Sequence, residues 1–496
     1  MNGSNDANGI RIGWEQADIT PGETVVIEGQ FPARLSEGVL DPLMAAVLVM
    51  DSGDDHVIFV GCDLIYISDE LQDAVRMHLQ LENDCTGDLD RLDPMKVILN
   101  ATHTHTGPGN MGRYEQSGNG LDSGIDLGAM NVKQYVAFAA ERISEAVKRA
   151  WMSRTNGGLA YGLDYAVIGR NRRWVDEDHR GTMYGLNETT IDQFRHFEGT
   201  EDHSLNLMAT YHSDGSLTGL VVNVPCPSQE TESLFMISAD WWHETRAELR
   251  RRFGESLFIL PQCSAAGELT SHLMMEQKAN ERMQRLLGRS ARQEVACRIA
   301  DAVGRILPYI SQEIDERPIV SHDVQTVRLS AQQLTGEDLD YTKQMVEQNK
   351  AAYEKELQKL KSHPELLEES RWYLPVTSAS RTMNWHQNVL DRYERIQSDP
   401  YMPFEIHVIR VGDIAFATNP FECYLDFGLQ IKLRSKAVQT FLVQLAGAGT
   451  YLPSPRSVAH GGYGSTPASN PVGAQGGQQL VDHTVSKLQE LWLEKE

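Results

Sequence analysis

The sequence predicts an α/β fold built on a mixed β-sheet with a helical insertion, and three features carry that prediction. Short β-branched runs alternate with amphipathic helical patterns along almost the whole chain. A strongly polar, helix-rich stretch, 331–398, interrupts the strands, which resume at once in "FEIHVIRVGDIAFATNP". The longest apolar runs, such as "HVIFVGCDLIYI", are strand-sized and too short to span a bilayer.

In chain order, "MAAVLVM" and "HVIFVGC" flank Asp-Ser-Gly-Asp-Asp and read as a hairpin. An amphipathic helix over 69–82 precedes the buried strand "MKVILNAT", and a helix over 132–151 leads to a strand at 158–168. "LNLMATYH" and "LTGLVVNVP" are strands split by the turn "SDGS". The helix "ADWWHETRAELRRRFG" and the buried strand "SLFILPQCSAAGE" follow, then a helical region over 275–315. The Gly/Pro/Ser-rich stretch 450–476 is an internal loop, because an amphipathic helix at 477–493 comes after it, and loops of that length inside a compact unit tend to be functional. We read residues 1–496 as one domain, with 331–398 as its insertion. Eight regular βα units of a barrel fit the polar helical stretch badly.

Composition narrows the function. A net charge of −24 argues against nucleic acid and anionic membrane surfaces, which need clustered Lys and Arg. Six scattered cysteines without CxxC spacing give no disulfide framework, and the N-terminus has no secretion pattern, so the expectation is a cytoplasmic protein acting on a small molecule. The polar helices leave a homo-oligomer open.

The chemistry concentrates in "ILNATHTHTGPG". Period-two alternation at a strand end puts His103 and His105 on one face, where two neutral imidazoles suit a transition metal, most often Zn²⁺. Asp63, ending "IFVGCD", is a candidate to orient a ligating histidine through its second nitrogen.

The order of further motifs resembles the neutral/alkaline, non-lysosomal ceramidase family: "ADITP", "CDLI", "ATHTHTGPG", "NRR", "CPSQ", "AAGELTS", "NPFE" and "TYLPSPRSVAHGGY". The resemblance implies a mixed α/β catalytic domain with one zinc ion per chain and no room here for the C-terminal immunoglobulin-like domain of secreted members. It implies His103, His105, Glu422 and Tyr451 at the metal. It also implies Tyr463 as a second active-site tyrosine and Arg172 near the substrate carbonyl, with Arg170 and Arg173 as neighbouring registers. Two departures stand out. Cys226 occupies the position of the family's third histidine, so either its thiolate or His243 completes the site. Glu268 and Thr270 of "GELTS" replace an aspartate and a serine, making Glu268 a candidate proton donor to the leaving amine. The expectation is a zinc-dependent hydrolase cleaving an amide (N-acyl) or related bond through an activated water. Two alternatives use the same residues: a metal-dependent enzyme hydrolysing or eliminating from a sugar-derived substrate, and a catalytically silent ligand-binding relative.

Overall fold

The computed structural model describes residues 9–87, 89–110 and 125–493. An eight-stranded sheet runs in the order Phe258–Cys263, Leu217–Val224, Ser204–His212, Thr155–Tyr165, Arg11–Asp18, Met44–Asp51, His56–Cys62, Val97–Ala101. A second sheet runs Val320–Ser330, Tyr401–Val411, Ile414–Thr418, Gln439–Val443. The helices are α1 (Asp69–Thr86), α2 (Val132–Ser153), α3 (Trp241–Phe253), α4 (Gln277–Leu287), α5 (Ala291–Ile310), α6 (Gly336–Ser362), α7 (Leu374–Ile396), α8 (Leu425–Arg434), α9 (Pro455–His460) and α10 (Gly473–Leu493).

Alternation along the strands explains the layering. Ala46, Leu48 and Met50 join Met208, Val221 and Leu260 in one cluster with Ile409, Ile414, Phe416 and Phe441, so the two sheets pack face to face. The intervening Ala45, Val47 and Val49 turn the other way, into the cluster that also holds Ala139, Ile143 and Val147 of α2. Farther along the sheet, Leu205, Leu207 and Val222 pack with Leu249 of α3 and Ile299 of α5. Beyond the second sheet, Ala415 and Ala417 sit in a cluster with Leu480 and Val485 of α10. The result is helix, sheet, sheet, helix. The expected hairpin at 51–55 is present, and α6 and α7 form the expected helical insertion.

Within these two sheets three strand pairs are parallel: His56–Cys62 with Val97–Ala101, Leu217–Val224 with Phe258–Cys263, and Ile414–Thr418 with Gln439–Val443. Each pair is bridged by a crossover helix, α1, α3 or α8 respectively. Crevices outside the carboxyl ends of such strands are the usual ligand sites of α/β sheets, and the candidate residues lie there. His103 follows Val97–Ala101, Gln229 follows Leu217–Val224, Glu422 follows Ile414–Thr418, and Tyr451 follows Gln439–Val443.

Candidate active site

The paired histidines converge by a route other than the expected one. The strand ends at Ala101, so alternation no longer governs the segment, and His103 takes a left-handed φ of 65°. Its backbone N–H donates to Leu64 O, and its ring Nδ1 lies 2.7 Å from Ile65 O. A carbonyl only accepts, so Nδ1 carries the proton and Nε2 keeps its lone pair. Buried threonines pin the turn: Thr104 Oγ1 donates to Ser238 O at 2.8 Å, and Thr106 Oγ1 pairs with Thr231 Oγ1 at 2.9 Å. Opposite, Gly29 has φ +104°, and a Cβ there would lie 2.6 Å from His105 Nδ1, so only glycine lets that imidazole seat.

Three nitrogen and oxygen atoms then meet. His103 Nε2 lies 3.2 Å from His105 Nε2 and 3.3 Å from Glu422 Oε2. Arg172 is buried beside them: Nη1 donates to Tyr184 Oη at 2.7 Å and Gln229 Oε1 at 3.3 Å, and Nη2 to Gly267 O at 2.8 Å and Tyr451 Oη at 3.3 Å. Arg172 Nη2 is also 3.8 Å from Glu422 Oε2. Because Arg172 can only donate, it fixes the Gln229 amide, whose Nε2 therefore faces His105 Nε2 at 3.0 Å as donor. Burial, with His103, Arg172 and Arg34 nearby, holds His105 well below the usual histidine range, so it is neutral at pH 7. Burial, with Glu422 and Tyr463 next to it, pushes the Tyr451 phenol well up, so Tyr451 keeps its proton.

These residues open into a cavity of about 320 Å³ walled by Trp385 and Asn388 of α7, Phe31, and Tyr463. Tyr463 is 44 % exposed at the mouth, its ring 5.5 Å from Tyr451 and 5.9 Å from Trp385. The Gly-rich loop that carries both tyrosines is tied down by buried Arg173, which donates to Tyr463 O at 2.6 Å and Gly461 O at 2.7 Å while pairing with Glu198. Of the three neighbouring arginines, Arg172 is thus the one at the site and Arg173 anchors the loop.

Four expected residues lie elsewhere. Asp63 does not orient a histidine: its carboxylate takes both Arg246 Nη1 and Nη2, at 2.8 and 2.9 Å, and Met44 N–H at 2.8 Å. Cys226 is packed among Trp241, Val224 and Ile168 in the cluster under α3, with burial pushing its thiol well above the normal range, so it is a core filler. His243 is exposed in the first turn of α3 and does not reach in. Glu268 turns its carboxyl onto the start of α8, accepting from Leu425 N–H at 3.0 and 3.1 Å, and not toward the cavity. Burial nonetheless raises it to about 8. Thr270 is one step removed, accepting from Tyr184 Oη at 3.3 Å. Sequence reasoning did not single out Gln229, Tyr184, Trp385, Asn384 or Asn388. Only Gln229 carried a signal, as the last residue of "CPSQ".

The donor set can be tested against the zinc that the motifs imply. A tetrahedral ion with bonds of ~2.0 Å has ligand–ligand edges of ~3.3 Å, which the His103–His105 and His103–Glu422 separations match. Lone pairs facing one another at such distances call for a positive charge between them. Among the described residues no group of three or more His, Cys, Asp and Glu is arranged to hold a metal ion, and the Gln229 amide engages the His105 lone pair. His103 and Glu422, with His105 adjoining, are the residues that would hold such a cation.

A double-sheet α/β fold with a polar centre at the strand carboxyl ends defines a class, and solved structures place the chain within it. A ceramidase complexed with C2 matches at TM-score 0.65 and 14 % identity, over 97 % of this chain and 76 % of that one. The neutral ceramidase from Pseudomonas aeruginosa matches at TM-score 0.63 and 15 % identity, over 98 % and 75 % of the two chains. No family model matches the sequence, and no curated protein does. The chain has a divergent neutral-ceramidase-like fold.

Proposed function

We propose that this chain is a hydrolase of an N-acyl (amide) bond in a small molecule, working with one zinc ion per chain held by His103, Glu422 and His105, with Tyr451 beside it. The observation that carries the reading is the meeting of His103 Nε2, His105 Nε2 and Glu422 Oε2 next to a buried arginine in an open cavity. A divalent ion there supplies Lewis-acid polarisation of the carbonyl and of the attacking water.

The chain's own residues do the rest. Arg172 donates to Tyr451, and the Tyr463 ring stands 5.5 Å from the Tyr451 ring, so a row of two phenols leads from the guanidinium to the cavity mouth. That row stabilises negative charge as it develops on the acyl oxygen. His103 is oriented by Ile65 O, and Gln229 and Gly29 hold the His105 ring in place. Water contributes its oxygen to the acyl carbon, the carbon–nitrogen bond breaks, and a water proton leaves with the amine; the products are a carboxylic acid and an amine.

The test is elemental analysis of the purified chain combined with a panel of N-acyl substrates. Bound zinc and release of free acid, both lost in His103→Ala, support the reading. Metal-replete protein that releases no acid from any N-acyl substrate refutes it. A chain that retains no metal favours the silent ligand-binding relative instead.

A further inference from the structure

The wall of the cavity contributed by α7 carries information about the substrate. Arg381, Asn384, Trp385 and Asn388 recur at the spacing of one helical stripe, and all four line the cavity. Arg381 is engaged, donating to Gln30 O at 2.9 Å and Glu28 Oε2 at 3.1 Å across the mouth. The Asn384 and Asn388 amides make no hydrogen bond to another described residue. Half-buried between them, the Trp385 indole stands 5.3 Å from Phe31 and 5.9 Å from Tyr463, edge-on to the first and tilted to the second. A flat indole flanked by two planar amides with spare donors and acceptors suits a ring with one C–H face and several hydroxyls.

Size points the same way. About 320 Å³ is at the small end of the ~300–1,000 Å³ range of ligand pockets. That admits one ring and a short acyl group but not two long alkyl chains. The apolar part of the lining is mostly aromatic, from Phe31, Trp385 and Tyr463, with Ile65, Leu445 and Pro471 as its larger aliphatic members, which suits the faces of a ring better than extended chains.

We propose that the cavity selects a compact polyhydroxylated N-acyl amine, of which an N-acyl hexosamine is the simplest case, over a two-chain lipid amide, with the ring on Trp385 and its hydroxyls taken by Asn384 and Asn388. This rests on the amidase reading of the same cavity, and the experiment separates the two. N-acetylhexosamines of gluco, galacto and manno configuration are titrated calorimetrically into the full chain, and turnover is followed separately, with short-chain ceramide in detergent micelles as the lipid arm. Binding of at least one hexosamine, weakened about tenfold or more in Trp385→Ala and in Asn384→Ala/Asn388→Ala and retained in Trp385→Phe, supports the proposal whether or not the sugar is cleaved. Cleavage then decides the amidase reading by itself. Release of acid from ceramide without any hexosamine binding overturns the proposal and leaves the amidase reading standing. Hexosamine binding that Trp385→Ala and the asparagine pair leave unchanged overturns it too, as does the absence of binding to every configuration.

Discussion

Replacing Asp63 by asparagine tests whether this aspartate serves the fold or the site. In the structure it is wholly buried and closes a two-bond fork with Arg246 of α3, at 2.8 and 2.9 Å. Burial raises its pKa despite the arginine, so the pair is held at a net desolvation cost. The asparagine amide would keep one acceptor oxygen but leave the guanidinium charged, buried and half-paired, and Arg246 Nε already lacks a partner. Removing one member of such a pair costs ~3–5 kcal/mol. At an m-value of ~3 kcal/mol/M, the urea midpoint falls by about 1–1.7 M. The double variant Asp63→Asn/Arg246→Met recovers most of that loss, because no uncompensated charge remains, and the cycle gives a coupling energy of ~2 kcal/mol or more. Unfolding is followed by tryptophan fluorescence, with metal content and turnover measured on the same samples. An Asp63→Asn protein with an unchanged midpoint that has lost metal or activity refutes this reasoning and returns Asp63 to the role of histidine orienter.

Other perturbations separate the site from its surroundings. His103→Ala is expected to abolish metal binding by elemental analysis, whereas Cys226→Ala keeps full occupancy and turnover and costs only ~1–2 kcal/mol of stability for the lost buried sulfur. Glu268→Gln is read by pH: a folded-state value of about 8 against an ordinary 4.5 means the unfolded chain ionises first. Its stabilising effect is complete below about pH 4.5 and is lost as pH rises through about 8, by up to ~4–5 kcal/mol. The glutamine variant, compared in parallel melts from pH 5 to 8, loses that slope. Gly29→Ala drives a methyl into the His105 ring and is expected to lower kcat/KM by ~10²-fold in a steady-state assay, without loss of secondary structure by circular dichroism.

The strands and most helices were legible because their patterns are local. Both faces of Met44–Asp51 are apolar, however, since one meets α2 and the other meets the second sheet, so nothing in that run revealed a double-sheet sandwich. His103, His105, Glu422, Tyr451, Tyr463 and Arg172 were found as motif positions, and the structure draws them together. The histidine rings do meet, but not by alternation, because the strand ends at Ala101 and His103 itself is left-handed. Asp63 was misread because its partner lies 183 residues away on α3, beyond any local pattern. Cys226 turns inward because its N–H closes a tight bend onto Val224 O, a backbone event that spacing does not encode. Gln229 and Trp385 gain significance only from the neighbours that tertiary packing gives them.

The two sheets also have a consequence for how this protein is made and dissected. The imidazoles hang from one sheet and the glutamate and phenols from the other, so neither slab owns a working centre. Activity should appear late and all at once during refolding, after the slabs dock. Fragments cut between residues 311 and 320 should be inert alone and regain turnover only when mixed, so complementation of separately expressed halves would measure the docking affinity directly.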